Sequence, residues 1–214
     1  TIVGDESCEG ADFTVTITVN PTAQVNDIDS IVVCSGDNIG SIIFSTINTG
    51  GITTYNWTNN NVAINLGEEG TGNIPSFTAT AGSTSEVATV VVIPTYTNDG
   101  ESCIGPSKEF TITVNPLPQI DSFVETICEG QPFTDITPVD EDDGVVPAGT
   151  TYSWEIASTS SSDITGGSSG SGTTIAGSVL QNASNSPQNL VYTVTPTTIV
   201  GDESCEGADF TVTI

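Results

Sequence analysis

Five cysteines and a surplus of carboxylates are the residues in this chain that could do chemistry. Cys8, Cys34, Cys103, Cys128 and Cys205 include no C-x-x-C pair. Thiolate metal ligation needs such clusters, so structural disulfides are the better reading. Asp and Glu total 27 against a single Lys (Lys108), with no Arg, His or Met, for a formal charge of −26. Four acidic groupings are dense enough to weigh as cation sites: Asp5/Glu6/Glu9/Asp12, Asp202/Glu203/Glu206/Asp209, Asp99/Glu101 and Asp140/Glu141/Asp142/Asp143. Calcium takes roughly six to eight oxygens, and a turn can converge several carboxylates. VDEDDG lacks the spacing of an EF-hand loop, and solvated loop charge is the plainer reading of all four. The alternative is Ca2+ held by Asp202, Glu203, Glu206 and Asp209, or by Asp140, Asp142 and Asp143.

The missing residue types exclude more than the present ones suggest. Without His there is no Ser-His or Cys-His nucleophile and no His-ligated zinc. Without Arg there is no bidentate clamp for phosphate or carboxylate. Carboxylate-only chemistry such as glycoside hydrolysis stays formally open, but the chain reads as a non-enzyme. Phosphate binding needs Lys and Arg, so nucleic acid and anionic membrane surfaces are excluded as partners. No run reaches the roughly 18–20 apolar residues of a membrane span. No charged-then-apolar leader is present, and because the chain starts inside a strand-like run it reads as an excerpt.

The elements that position these residues are organised by repeats. TIVGDESCEGADFTVTI occupies residues 1–17 and again 198–214, a period of 197 residues. Inside it, TITVNPTAQVNDIDSIVVCSG (16–36) aligns with TITVNPLPQIDSFVETICEG (111–130), and TTYNW (53–57) with TTYSW (150–154). Two related modules follow, 21–115 and 116–214, with 1–20 as the last hairpin of a preceding second-type module. Residues 1–17 are therefore expected to share the conformation of 198–214.

Short runs rich in β-branched and aromatic residues, punctuated by Gly, Asn, Asp and Pro, predict an all-β fold. About seven strands in about 100 residues is the signature of an immunoglobulin-like sandwich, here in tandem. In FTVTITV, Phe13, Val15, Ile17 and Val19 alternate with Thr14, Thr16 and Thr18, giving one packed and one wet face. Trp57 and Trp154, with Tyr55 and Tyr152, are expected to anchor the two cores. TVNP leads straight from each last strand into Pro21 or Pro116, and a joint without a Gly/Ser tract should restrict the hinge.

The repeat also suggests a pairing. In each module one cysteine follows an early strand (Cys34, Cys128) and one precedes the last strand (Cys103, Cys205). Bridges Cys34–Cys103 and Cys128–Cys205 are therefore expected, with Cys8 left unpaired by truncation. They would close loops of 69 and 77 residues, each worth about 4 kcal/mol by loop-closure entropy. Trp57 stands 23 residues after Cys34, so the bridge is not the inter-sheet one of antibody domains.

YxW in a mid-module strand, then VYTVTP, then FTVTITVNP after a C-x-G turn, resemble the PKD-like repeats of very large flavobacterial cell-surface proteins. The GDG that usually follows the Trp is missing. Near-identical tandem repeats of strong negative charge are similar to the SprB-type gliding-motility adhesins exported by the type IX secretion system. That resemblance implies an extracellular filament moved along the cell surface, gripping the substratum or its glycans, with neighbouring copies of the repeat as partners. It also marks Ser30 and Ser122, in DSI and DSF, as resembling D-[ST]-apolar O-glycosylation sites. The function expected is a disulfide-stapled, semi-rigid spacer at the cell surface. The rivals are a calcium-rigidified extender of a biofilm adhesin and a carbohydrate-binding module.

Overall fold

A computed structural model describes residues 10–214. The first half contains β1 (Ile31–Cys34), β2 (Asn38–Ile39), β3 (Ile52–Asn59), β4 (Glu69–Thr71), β5 (Phe77–Thr78), β6 (Glu86–Asn98), β7 (Glu101–Ile104) and β8 (Lys108–Asn115). The second contains β9 (Gln119–Ile120), β10 (Phe123–Val124), β11 (Gly144–Val145), β12 (Thr150–Thr159), β13 (Ile164–Thr165), β14 (Gly170–Gly172), β15 (Gln181–Asn182), β16 (Leu190–Val200), β17 (Glu203–Glu206) and β18 (Phe210–Thr213). The described residues are all-β apart from a single 3-10 turn at Val62–Ile64.

Both halves use one plan. The first main sheet has the order β1-β8-β6-β3-β4, and the second β10-β18-β16-β12-β14. In each, the opening strand lies parallel to the last (β1 on β8, β10 on β18), while the other pairs are antiparallel. Short pairings, β2–β5 with the Ile42–Ile74 bridge and β13–β15 with the Ile136–Ile175 bridge, make the facing layer. Each half encloses its own core, one around Trp57, Val90 and Ile112, the other around Trp154, Tyr192 and Val212. The chain is thus all-β, with its sheets in two sandwich-like halves.

The long central strands β6 and β16 carry a proline in their interior, which is tolerated only where no ladder donor is needed. Pro94 sits where the neighbour of β6 changes, β8 ending its pairing at Val92 and β7 beginning at Thr95. Its carbonyl accepts from Gly105 N at 3.0 Å, and Pro196 repeats this with Gly207 N at 2.9 Å. The proline therefore marks the point where the edge partner switches and a hairpin projects from the sheet.

One expectation needs correction. Residues 10–20 form no strand, and Phe13 and Val15 are 85% and 72% exposed, whereas Phe210 and Val212 in the identical segment are 4% and 0% exposed. The sheet that this segment completes, β16 with β10, is already filled by β18. The rest of the proposed first hairpin, including Cys8, lies outside the described residues.

Candidate functional site: the stapled joint

The last strand of the first sandwich runs into the second through Asn115, Pro116 and Pro118, all buried. Asn115 accepts from Ser35 N through its backbone oxygen at 2.7 Å and from Ser85 Oγ through Oδ1 at 2.8 Å. Parallel pairing sets Cys34 opposite Asn115, so the end of β1 lies at the joint. From the other side comes the hairpin β16–β17, where Cys205 pairs with Thr198. Its exit glycine is obligatory: a Cβ on Gly207 would lie 2.0 Å from Pro118 O. Strands β1 and β17 lie against each other across the joint.

Cys34 and Cys205 are bonded there, with Cα atoms 5.5 Å apart and 171 residues between them in sequence. Neither pairing expected from the repeat forms; Cys103 and Cys128 carry free thiols. The reason is the length of the central strands. Cys34 lies at the Glu86 end of β6, since Glu86 pairs with Val114, whereas Cys103 pairs with Tyr96. Ten residues of strand at about 3.3 Å each separate these poles by roughly 33 Å, far beyond the roughly 7 Å that a disulfide can span. In the second sandwich Cys128 follows β10 at the Val191 end of β16, and Cys205 sits opposite Thr198, again roughly 20 Å apart. Each sandwich carries its two cysteines at opposite ends, so a bridge can join sandwiches but cannot form within one.

The acidic groupings among the described residues are not gathered into a site. Among the described residues, no three His, Cys, Asp or Glu groups are placed to hold a metal ion. Asp140 Oδ1 accepts from Val146 N and Asp143 Oδ2 from Val139 N, both at 2.8 Å, so these carboxylates fold their own loop; Asp142 is exposed. Asp209 Oδ1 accepts from Thr195 Oγ1 at 2.6 Å, while Asp202, Glu203 and Glu206 are exposed along the hairpin. Asp5, Glu6 and Glu9 lie outside the described residues.

The tryptophans share one construction. Gly70 and Gly170, on the strands beside them, would place a Cβ 2.2 and 2.5 Å from the rings of Trp57 and Trp154. Each ring thus lies flat over a glycine, buried with Tyr55 or Tyr152. Burial raises both phenol pKa values, at Tyr152 with help from the Asp143 carboxylate and at Tyr55 partly offset by Thr46. Ser30 and Ser122 are exposed at equivalent places, each accepting from the hydroxyl of a threonine on the parallel last strand, Thr111 or Thr211, at 3.0 Å. Among the described residues, no helix is long and apolar enough to cross a membrane.

Residues 125–214 match the PKD-like domain family. No curated protein matches the chain. Among solved structures, the chain is similar to the human desmocollin-1 ectodomain, with a TM-score of 0.38 and 15% identity over 92% of this chain and 37% of that one. It is similar also to extracellular cadherin domains 3-6 of protocadherin gamma B2, with a TM-score of 0.42 and 12% identity over 90% of this chain and 52% of that one. The insect immune protein hemolin gives a TM-score of 0.35 and 12% identity over 90% and 50%. The chain spans about a third to a half of the length of these structures.

Proposed function

We propose that this chain is a structural segment of a repetitive extracellular protein, with modules 21–115 and 116–214 acting as a stapled, semi-rigid spacer. The observation that carries this reading is the Cys34–Cys205 bridge across the buried Asn115–Pro118 joint. A bridge within a module would stabilise that module alone. A bridge across a joint removes the freedom of one module to swing against the next, which is what a filament shaft requires. A disulfide in this position favours an oxidising exterior, and the charge of −26 discourages lateral bundling of such shafts. The end-to-end repeat and its resemblance to gliding adhesins favour a long surface filament that contacts a substratum. Neighbouring copies of the repeat are then its principal partners, and Ser30 and Ser122 its candidate glycan carriers.

The test is the shape of a chain of several 197-residue periods, imaged by negative stain under oxidising conditions, with reductant, and with a calcium chelator. The spacer reading expects stiff rods that become flexible on reduction and are indifferent to chelation. Oxidised chains that are already freely jointed would sink it, and softening by chelator alone would favour the calcium-rigidified extender.

A further inference from the structure

The bonded cysteines have unbonded counterparts, and the correspondence is structural as well as sequential. Cys128 occupies the turn that Cys34 occupies: Cys34 O accepts from Asp37 N and Cys128 O from Gln131 N, both at 3.1 Å. A positive-φ glycine follows each turn's second residue, Gly36 at 95° and Gly130 at 76°, and these donate to Ala79 O and Leu180 O. Cys103 stands where Cys205 stands, on a hairpin strand opposite Tyr96 as Cys205 is opposite Thr198. The glycine after each hairpin meets the backbone ahead of its own sandwich in the same way. A Cβ on Gly105 would lie 1.9 Å from Ala23 O, and one on Gly207 2.0 Å from Pro118 O.

The surroundings differ as an open and a closed seat differ. Cys34 and Cys205 are buried, Cys128 is exposed and Cys103 half-buried. At the end of the second sandwich Cys128 lines a groove of about 340 Å³ with Ile127, Leu180, Gln188 and Ile214. At the opposite end of the first sandwich the β6–β7 hairpin projects Cys103, and next to it Ile104 is 71% exposed. A tight turn through Asp99 and Gly100, both at positive φ, shapes that hairpin. Asn20, ahead of Pro21 as Asn115 is ahead of Pro116, ties into it by reciprocal bonds with Asn98 at 3.0 and 3.3 Å.

We infer that the groove at Cys128 receives the β6–β7 hairpin of the next copy of this chain, and that Cys128 forms a disulfide with that copy's Cys103. The argument is that the same turn and the same hairpin are already joined once, at Cys34 and Cys205, in the same relative order. Every joint of a repeating array would then be stapled, alternately by the two kinds of bridge. This rests on the spacer reading but does not follow from it, because a spacer stapled at alternate joints is equally coherent. The chemistry is thiol–disulfide exchange with a small disulfide oxidant. Two cysteine thiols and one oxidised disulfide become one protein S–S bond and two small thiols, which carry away the two protons.

The experiment uses a chain of two periods in which residues 198–214 of the first copy serve as residues 1–17 of the second. Cys8 of the first copy alone is replaced (Cys8→Ser) to remove a competing thiol, and the chain is oxidised with glutathione disulfide and mapped without reduction. The expected map holds Cys34–Cys205 in each copy and one bridge from Cys128 of the first copy to Cys103 of the second. Cys128→Ser in the first copy should free that Cys103 for alkylation and leave both Cys34–Cys205 bridges intact. Complete Cys34–Cys205 bridging with Cys128 of the first copy and Cys103 of the second both alkylated would overturn the inference. So would a Cys128–Cys205 bridge. Stiff rods under the microscope together with those free thiols would reject this inference alone, whereas bridged but freely jointed chains would reject the spacer reading alone.

Discussion

GADFTVTI occurs at residues 10–17 and at 207–214, and the two copies meet different fates. In the first, Phe13, Val15 and Ile17 are 85%, 72% and 81% exposed and no strand forms. In the second, Phe210, Val212 and Ile214 are 4%, 0% and 7% exposed and Phe210–Thr213 is β18. The eight residues are the same, so the difference comes entirely from what lies beside them. The second copy has β16 antiparallel on one side and β10 parallel on the other, and the rings of Phe123 and Tyr152 meet Phe210 at 6.0 and 6.2 Å. Alternating Phe, Val and Ile define a face to bury, but an isolated strand has no backbone partners and no surface to bury that face against. Local sequence specifies a capacity for strand, and the neighbouring sheet decides whether it is used.

Twin substitutions in the two copies sharpen this contrast. Phe210→Ala should cost about 3–5 kcal/mol, as for emptying a packed aromatic site, while Phe13→Ala should stay within about 0.5 kcal/mol. Urea unfolding of the two variants checks this, and equal losses would mean that the first copy is also packed. Gly207→Ala comes next, at about 1–3 kcal/mol, because its Cβ would strike Pro118 O; Gly10→Ala meets nothing within 4 Å and should be neutral. The Gly207 variant should also slow formation of the Cys34–Cys205 bridge, since that glycine seats the hairpin at the joint. Thr211→Val removes the hydroxyl bond to Ser122 Oγ and should cost about 0.5–1.5 kcal/mol, against no measurable change for Thr14→Val.

The strands, the two-sandwich plan and the all-β fold were legible because alternation and turn residues are local signals. The Trp strands were legible for the same reason, although nothing about Trp57 announces that Gly70 must lie beneath its ring. The cysteine pairing was not legible from equivalence between modules. Equivalence shows which cysteines correspond and is silent on which end of a long strand each occupies. Once Cys34 is placed at the Asn115 end of its sandwich and Cys103 opposite Tyr96, the within-module bridge is geometrically excluded. A count of residues along EVATVVVIPTYTN, thirteen of them in β6, is the signal that could have revealed it. For the acidic groupings solvated loop charge was the plainer reading from the start: proximity in sequence converges carboxylates only when the backbone turns them inward, and at Asp140 and Asp143 they turn onto their own loop's N–H groups.

The smallest expected effect concerns pH and again separates the two copies. Tyr152 packs edge-on against Phe210, on the face that the second copy completes, and its phenol pKa is raised by burial and by the Asp143 carboxylate. A phenol that holds its proton more tightly folded than unfolded stabilises the fold fully below the unfolded value, near 10, and loses that contribution as pH climbs through the raised folded value. Melting temperature should therefore be flat through neutral pH and fall above about pH 10. Tyr55 adds a parallel decline in the first sandwich, weaker because the Thr46 hydroxyl opposes the effect of burial. Tyr152→Phe keeps the ring against Phe210 and removes the ionisation, so it should flatten the second sandwich's alkaline limb and leave the first sandwich's in place. An unchanged alkaline limb in that variant would mean that ionisation at Tyr152 does not govern the packing of β18.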